Sequence, residues 1–296
     1  MVIYIWYVFI IDDYKYAMDT DFLSKIKKLL EEIFIAEQNF YRDKYSSFGF
    51  DEIFLKNFNE SSFKSLPILT QNELAQVPYK SRTYKEGEGL NKLIHSESAD
   101  TYFLIHRLLD EISEDQLPYY GSRPIMLFSN MYEAIERCLF FYSKGILPLI
   151  GEVNNPSVIF ATAKNYDVDM IFTDHASCES FKEGLINLSL PVKNVAIIDT
   201  LFQSEDLVWP EEIKVDFIWN IPEVGRIAYA CPEFLLKKEK IFHAYDDVHI
   251  EAAISAIITS SRLQASPIIR YQTNIGIEES RQKCSCGKKS FSIPIL

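Results

Sequence analysis

Cys231, His243, Cys284 and Cys286 are the residues of this chain whose types and spacing best suit chemistry. A structural zinc centre takes four soft or borderline ligands in a tetrahedron, Cys3His among the common sets, at roughly 2.0–2.3 Å. Two hairpin strands, "RIAYAC" and "KIFHAY", would bring Cys231 and His243 together, and Cys284-Ser285-Cys286-Gly287 forms a tight knuckle whose glycine relieves the turn. One residue separates the knuckle cysteines, not the more diagnostic two. Spacing alone therefore leaves a zinc site and a set of unrelated thiols as equal readings. Cys138, beside Ile135 and Leu139 in a helical pattern, and Cys178, at a helix start, read as packing or capping residues.

Other signatures are few. The chain has ten glycines, with no G-x-G-x-x-G or G-x-x-x-x-G-K-[ST] loop to cradle a phosphate, no G-x-S-x-G elbow and no H-E-x-x-H. His95, His106, His175 and His249 stand apart in sequence and read first as surface or satisfied core residues. His175 also has a pocket reading, because Asp174-His175 follows the apolar run "VDMIFT", where a parallel strand would end and ligand sites form in open α/β sheets. With a net charge of −12 and no run of five or six Lys or Arg, the electrostatic footprint of a nucleic-acid binder is missing.

The elements between these residues set their positions. Phe22, Leu23, Ile26, Leu29, Leu30, Ile33 and Phe34 recur at helical spacing within Phe22 to Phe40, with Asp19, Thr20 or Asp21 as the cap. Thr70 and Glu73 make a capping box for a short helix. From Pro124 the pattern alternates: "IMLFS", "MYEAIERCLFFYSKG", "LPLIG", "PSVIFATAKNYD", "VDMIFTD", "CESFKEGLINL" and "NVAIID" predict a parallel sheet covered by helices. Beyond Asp216, "DFIWNI", "RIAYAC", "KIFHAY" and "VHIEAAISAIIT" predict consecutive strands. A chain of 296 residues with 48% apolar content can bury a substantial core. The opening "MVIYIWYVFI" is too short to span a bilayer and lacks a basic leader, so no membrane association is expected. Five cysteines without a secretory signal point to a reducing, cytoplasmic compartment.

Several stretches, in order, carry a resemblance. "SPIIRYQTN" followed by "KCSCGKK" is similar to the L-P-L-I-R-Y-R-T-G-D and C-x-C-G-R segments of phenylacetate-CoA ligases, within the adenylate-forming superfamily. "QNFYRDKYSSFGF" and "FKSLPILTQNEL" resemble the S-x-F-Y-R and L-P-x-x-x-K-x-x-L elements of the same enzymes, and "DFIWNIPEVGRIAYACPE" with "KIFHAYDDVHIE" resembles Y-G-x-S-E-x-G, a following cysteine, and G-L-H-I. The resemblance implies an α/β fold, the adenylate-forming N-terminal domain with a helix-covered parallel sheet and a β-rich C-terminal region, lacking the small lysine-bearing domain. Residues 1–21 are an extension, either a core strand or sequence ahead of a start at Met18. Residues 22–296 are one domain, α/β over about 22–215 and β-rich and zinc-clipped over about 216–296.

The same resemblance implies an ATP site and shows what has changed in it. Ser96, Ser98 and Thr101 keep the hydroxyls of the phosphate loop, whereas its glycines are gone and Glu97 and Asp100 add negative charge. Glu223 keeps the Mg2+ carboxylate of Y-G-x-S-E, and Arg270 and Thr273 match R-Y-R-T-G-D, but Ile275 replaces the ribose-binding Asp. Phe128, Tyr132 and Asn154 fall where an aromatic-lined acid pocket would lie; core packing explains Phe128 equally well, and helix amphipathicity Tyr132. In relatives that have them, the cysteine after Y-G-x-S-E, the histidine and the C-x-C pair converge, which implies structural zinc at Cys231, His243, Cys284 and Cys286. The implied function is that of a catalytically impaired relative of acid-activating CoA ligases, with a binding or accessory role. Its partners would be a small carboxylic acid, an intact adenylating enzyme or carrier protein, or a second copy. The alternative is an active ligase for an aryl or acyl acid, using ATP and Mg2+ with a partner chain supplying the lysine.

Overall fold

The computed structural model describes residues 18–36, 39–96, 100–117, 123–151, 156–179, 182, 192–200, 209, 211–231, 241–251, 254–279 and 284–292. Helix α1 (Thr20–Ile35) begins where the Asp19 carboxylate accepts the Asp21 N–H, and it buries Phe22, Ile26, Leu29, Leu30, Ile33 and Phe34. The apolar periodicity predicts a helix to Phe40, but the chain breaks at Ala36 and restarts as α2 (Phe40–Ser47). Asn39 causes the restart. Its side-chain oxygen caps Arg42 N while its amide donates to the Ile33 and Ala36 carbonyls, so it serves the end of one helix and the start of the next. Two short helices, α3 (Glu52–Lys56) and α4 (Glu60–Ser65), lead to strand β1 (Leu69–Thr70) and helix α5 (Gln71–Gln76).

The expected capping box opens α5: Thr70 Oγ1 accepts the Glu73 N–H at 3.2 Å and Glu73 accepts the Thr70 N–H at 2.8 Å. Thr70→Ala is expected to cost about 1 kcal/mol, read as a lower denaturation midpoint in urea; an unchanged midpoint would show that the box contributes nothing.

After α6 (Tyr79–Arg82), strands β2 (Gly89–Ser96) and β3 (Thr101–Leu108) pair as an antiparallel hairpin leading into α7 (Leu109–Ser113). The α/β part follows: β4 (Pro124–Leu127), α8 (Met131–Ser143), β5 (Leu149–Ile150), α9 (Pro156–Asn165), β6 (Met170–Thr173) and β7 (Asn194–Asp199). Then come β8 (Lys214–Ile221), β9 (Gly225–Ala230), β10 (Ile241–Ala244), β11 (Val248–Glu251), β12 (Ile257–Ser260), β13 (Tyr271–Gln272), β14 (Glu278–Glu279) and β15 (Phe291–Ser292). A nine-stranded sheet runs β14-β15-β10-β9-β8-β7-β6-β4-β5. It is parallel from β5 to β8 and antiparallel from β8 onward. Strands β4 and β6 are buried at every position, as a sheet covered on both faces requires. A second sheet, β1-β13-β12-β11, takes its edge strand from Leu69–Thr70, far from the other three in sequence. No helix among the described residues is long and apolar enough to cross a membrane.

A buried ionic network ties the hairpin to the large sheet. On α8 the inward face at helical spacing is Glu133, Glu136, Arg137, Phe140 and Phe141. Lys92, on the inner face of β2, meets Glu133 at 2.6 Å and Glu136 at 2.7 Å. Arg107 of β3 reaches Glu136 at 3.1 Å, and Arg137 contacts Glu133 and Asp115, each at 3.1 Å. Asp115 also receives Arg226 and Arg262, which share Asp247. With Glu111, bound to Arg107, the network pairs five cations with five carboxylates.

Candidate functional site

Three segments meet at the end of the large sheet. Antiparallel pairing of β9 with β10 sets His243 opposite Tyr229 and leaves Cys231 just past the last paired residue. The Cys231 N–H donates to the Ile241 carbonyl at 2.8 Å, which holds the thiol beside the hairpin. The knuckle returns through β15, which pairs with β10. Its turn closes by Gly287 N–H to Cys284 O (2.7 Å) and Cys284 N–H to Lys288 O (3.1 Å), with Gly287 at φ +84°, a region that favours glycine.

The donor atoms of Cys231, His243, Cys284 and Cys286 all lie within 4.8 Å of one another. Cys231 Sγ is 3.4 Å from Cys284 Sγ, and Cys286 Sγ is 3.2 Å from His243 Nε2. Those separations approach the edges of roughly 3.5–3.8 Å that a zinc tetrahedron of thiolates and imidazole would have. His243 Nδ1–H donates to the Lys289 carbonyl at 2.7 Å, which fixes the tautomer and presents Nε2 to the three sulfurs. Burial lowers the His243 pKa and favours the neutral imidazole that a metal needs. The four residues fit a metal ion by donor set, separation and orientation.

Two of the residues expected at a nucleotide site, Ser96 and Glu223, meet at a residue that was not expected there, Gln71. Its Nε2 donates to Glu223 Oε1 at 2.7 Å, and its Oε1 accepts the Ser96 hydroxyl at 3.2 Å. The Tyr271 hydroxyl donates to the same Glu223 oxygen at 2.9 Å, and Glu223 is only 4% exposed. Burial, with the Glu223 carboxylate beside it, pushes the Tyr271 phenol pKa up, so the hydroxyl stays protonated as a donor. Sequence reasoning gathered Ser96, Glu223 and the Arg270-Tyr271 segment into one site but missed Gln71. The available signal was its position, which is that of the lysine in L-P-x-x-x-K-x-x-L.

Arg270 and Thr273 are committed elsewhere. Arg270, at φ +53°, grips Glu251 through Nε (2.9 Å) and Nη2 (3.0 Å) and donates to the Lys64 and Leu66 carbonyls, so it ties the small sheet to α4. Thr273 Oγ1 is buried and bonds the Ile275 backbone. Thr101 pairs with Ser96 at the hairpin tip. Asp100 projects its side chain fully into solvent, with His95 at 3.7 Å. Water screens that charge, so Asp100 is a weaker obstacle to phosphate than the sequence suggests. Glu97, Ser98 and Asn154 lie outside the described residues. Of the pocket candidates, Phe128 packs in the hydrophobic core and Tyr132 is exposed on the first turn of α8. His175 follows Asp174, whose carboxylate accepts from Ser129 and Ser177 and staples two strand ends, while the His175 N–H is held by Asp199 at 2.8 Å.

No family model and no curated protein matches the sequence. Solved structures do match the backbone. The 2-hydroxyisobutyryl-CoA ligase in its postadenylation state, in complex with 2-HIB-AMP, superposes with a TM-score of 0.69 at 12% identity, over 93% of this chain and 66% of that one. The fold is that of the adenylate-forming CoA ligases. An open conformation of the same ligase, with 2-HIB-AMP and CoA, gives 0.67 at 13% identity over 93% of this chain and 68% of that one. Unliganded o-succinylbenzoate coenzyme A synthetase from Bacillus subtilis gives 0.51 at 10% identity, over 68% of this chain and 48% of that one. The chain thus spans about two thirds of the length of the 2-hydroxyisobutyryl-CoA ligase, with 66% of it covered. On this fold the cluster around Gln71 draws together residues 71, 96, 223 and 271 from four separate segments of the chain.

Proposed function

We propose that this chain is a non-catalytic form of the adenylate-forming fold, closed at its nucleotide cleft and clipped at its C-terminal end by structural zinc held by Cys231, His243, Cys284 and Cys286. The observation that carries the reading is the enclosure of Glu223, whose carboxylate is buried and accepts from both Gln71 and Tyr271. A carboxylate serving Mg2+·ATP must be reachable, and Mg2+ needs substrate phosphates to complete its octahedron. Burial of Glu223 and the Gln71 and Tyr271 hydrogen bonds on its Oε1 work against the first condition. Ile275, buried where a ribose-binding carboxylate would stand, supports the same conclusion. Zinc would act structurally, since four protein ligands leave no open coordination position for catalysis. What the fold then offers is its surface, suited to an accessory role beside an intact adenylating enzyme or a carrier protein.

ATP·Mg2+ is expected to bind more weakly than about 1 mM, which corresponds to only ~4 kcal/mol, as measured by calorimetry. A panel of aryl and acyl acids should release no pyrophosphate. Micromolar ATP binding, or pyrophosphate release that disappears in Glu223→Ala, would overturn the reading in favour of an active ligase.

A further inference from the structure

We propose that the Cys231, His243, Cys284 and Cys286 centre is also a hydroperoxide-reactive site, at which oxidation expels the metal and leaves a Cys231–Cys284 disulfide in its place. The inference rests on the zinc reading and adds a second state to it. Its ground is the unequal placement of the three sulfurs. Cys286 is exposed, whereas Cys231 and Cys284 are 2% and 7% exposed and their sulfurs are already 3.4 Å apart. A disulfide requires about 2.05 Å, so the buried pair has to close by only about 1.4 Å. The remaining cysteines lack this setting. Cys178 is buried, and burial pushes the Cys138 thiol pKa up to about 11, away from the reactive thiolate.

The chemistry proceeds in three balanced steps. The solvent-facing Cys286 thiolate attacks a hydroperoxide oxygen; the O–O bond breaks, the sulfur becomes a sulfenic acid, and the departing alkoxide or hydroxide takes a proton from water. The Cys284 thiolate then attacks the Cys286 sulfur, expelling hydroxide and forming a Cys284–Cys286 bond. Finally the Cys231 thiolate, beside Cys284, displaces Cys286 as thiolate and completes the Cys231–Cys284 bond. Two electrons pass from two sulfurs to the peroxide, which takes up two protons in all and leaves as water, or as water and an alcohol. The metal keeps one thiolate and one imidazole, too few to hold it, and departs. The same two segments stay joined throughout, first by coordination and then by a covalent bond across 53 residues of sequence.

The test uses the full chain loaded with zinc, its content measured first, and hydrogen peroxide as the probe. Zinc should be released to a chromophoric indicator while the protein becomes lighter by two hydrogens, and peptide mapping should recover the Cys231–Cys284 pair. The oxidised, zinc-free protein should melt above the reduced, zinc-free protein. Cys286→Ser should slow zinc release by about tenfold or more, and Cys231→Ser should stop at the Cys284–Cys286 bond. Zinc retained under peroxide, or release with sulfinic and sulfonic products and no Cys231–Cys284 peptide, would overturn the proposal. A protein that binds no zinc would refute the metal reading and the metal-release step with it; the map under peroxide would then decide the thiol chemistry alone, a Cys231–Cys284 peptide supporting the disulfide step and its absence overturning the proposal entirely.

Discussion

Glu136→Ala is expected to destabilise the protein by about 3–5 kcal/mol, the cost of leaving buried charges without their partner. Against a typical domain stability of about 5–15 kcal/mol, that is a large share. Glu136 has no exposed side-chain surface and stands between Lys92, Arg107 and Arg137. Burial alone would raise its pKa, but those three cations overcome burial and hold the carboxyl well below the ordinary range. Lys92 shows the reciprocal balance: desolvation would lower its pKa, yet Glu133 and Glu136 raise it. The signs set a pH window. The Glu136 contribution is complete above the ordinary carboxylate pKa and is lost as pH falls through the depressed folded value. The Lys92 contribution is complete below the ordinary lysine pKa and is lost as pH rises through the raised one. The double variant Lys92→Met with Glu136→Leu removes one charge of each sign and should lose less than Glu136→Ala alone, because it strands no net charge. Removing the exposed Arg123–Asp167 pair should change stability by under about 1 kcal/mol. Guanidinium unfolding of the four proteins reads all of this; a Glu136→Ala protein as stable as its parent would refute the network's role.

Local signals in the sequence survived because local forces decide them. The α1 face and the Thr70–Glu73 box depend on residues three or four positions apart. The alternating apolar runs gave the parallel strands for the same reason. The ionic network was illegible because its members occupy inward positions that a hydropathy pattern reads as solvent-facing. Glu133, Glu136 and Arg137 continue the apolar stripe of Phe140 and Phe141, and Lys92 shares the inner face of β2 with Leu90 and Ile94 while Leu93 points outward. Only the other half of each pair, far away in sequence, reveals the burial. The two-residue strand β1 is illegible for a related reason, since pairing with β13 across two hundred residues leaves no local trace. The four residues of the Cys3His cluster were legible by type, because cysteine and histidine have few alternatives at such positions. What their spacing could not supply was the hairpin register that sets His243 against the knuckle. Gln71 was hidden because a glutamine has no signature of its own; it acquires a role only when Ser96, Glu223 and Tyr271 close around it.

Removing zinc by chelation is expected to lower the melting temperature by roughly 8 °C or more without unfolding the protein at room temperature. A ligand that binds only the folded state at a thousand times its Kd contributes about 4 kcal/mol, and in chains somewhat shorter than this one each kcal/mol moves Tm by about 2–4 °C. The core should persist, because Trp219, Ile227, Ala228 and Phe242 in β8, β9 and β10 are fully buried independently of the metal. The segment from Cys284 to Ser292 has less such support, with Phe291 as its contribution to the hydrophobic core. Strands β14 and β15 are two residues long, and the knuckle adds two backbone turn bonds and the Lys288 contact with Tyr229. Metal loss should therefore expose the amides of the segment from Cys284 to Ser292 to hydrogen exchange while those of β6 and β7 stay protected. Replacing His243 with Ala should give the same pattern with zinc present, since three sulfurs cannot close the tetrahedron alone. A metal-free protein with an unchanged melting temperature and an unchanged exchange pattern would remove zinc from the account, leaving four converging side chains held together by the hairpin register alone.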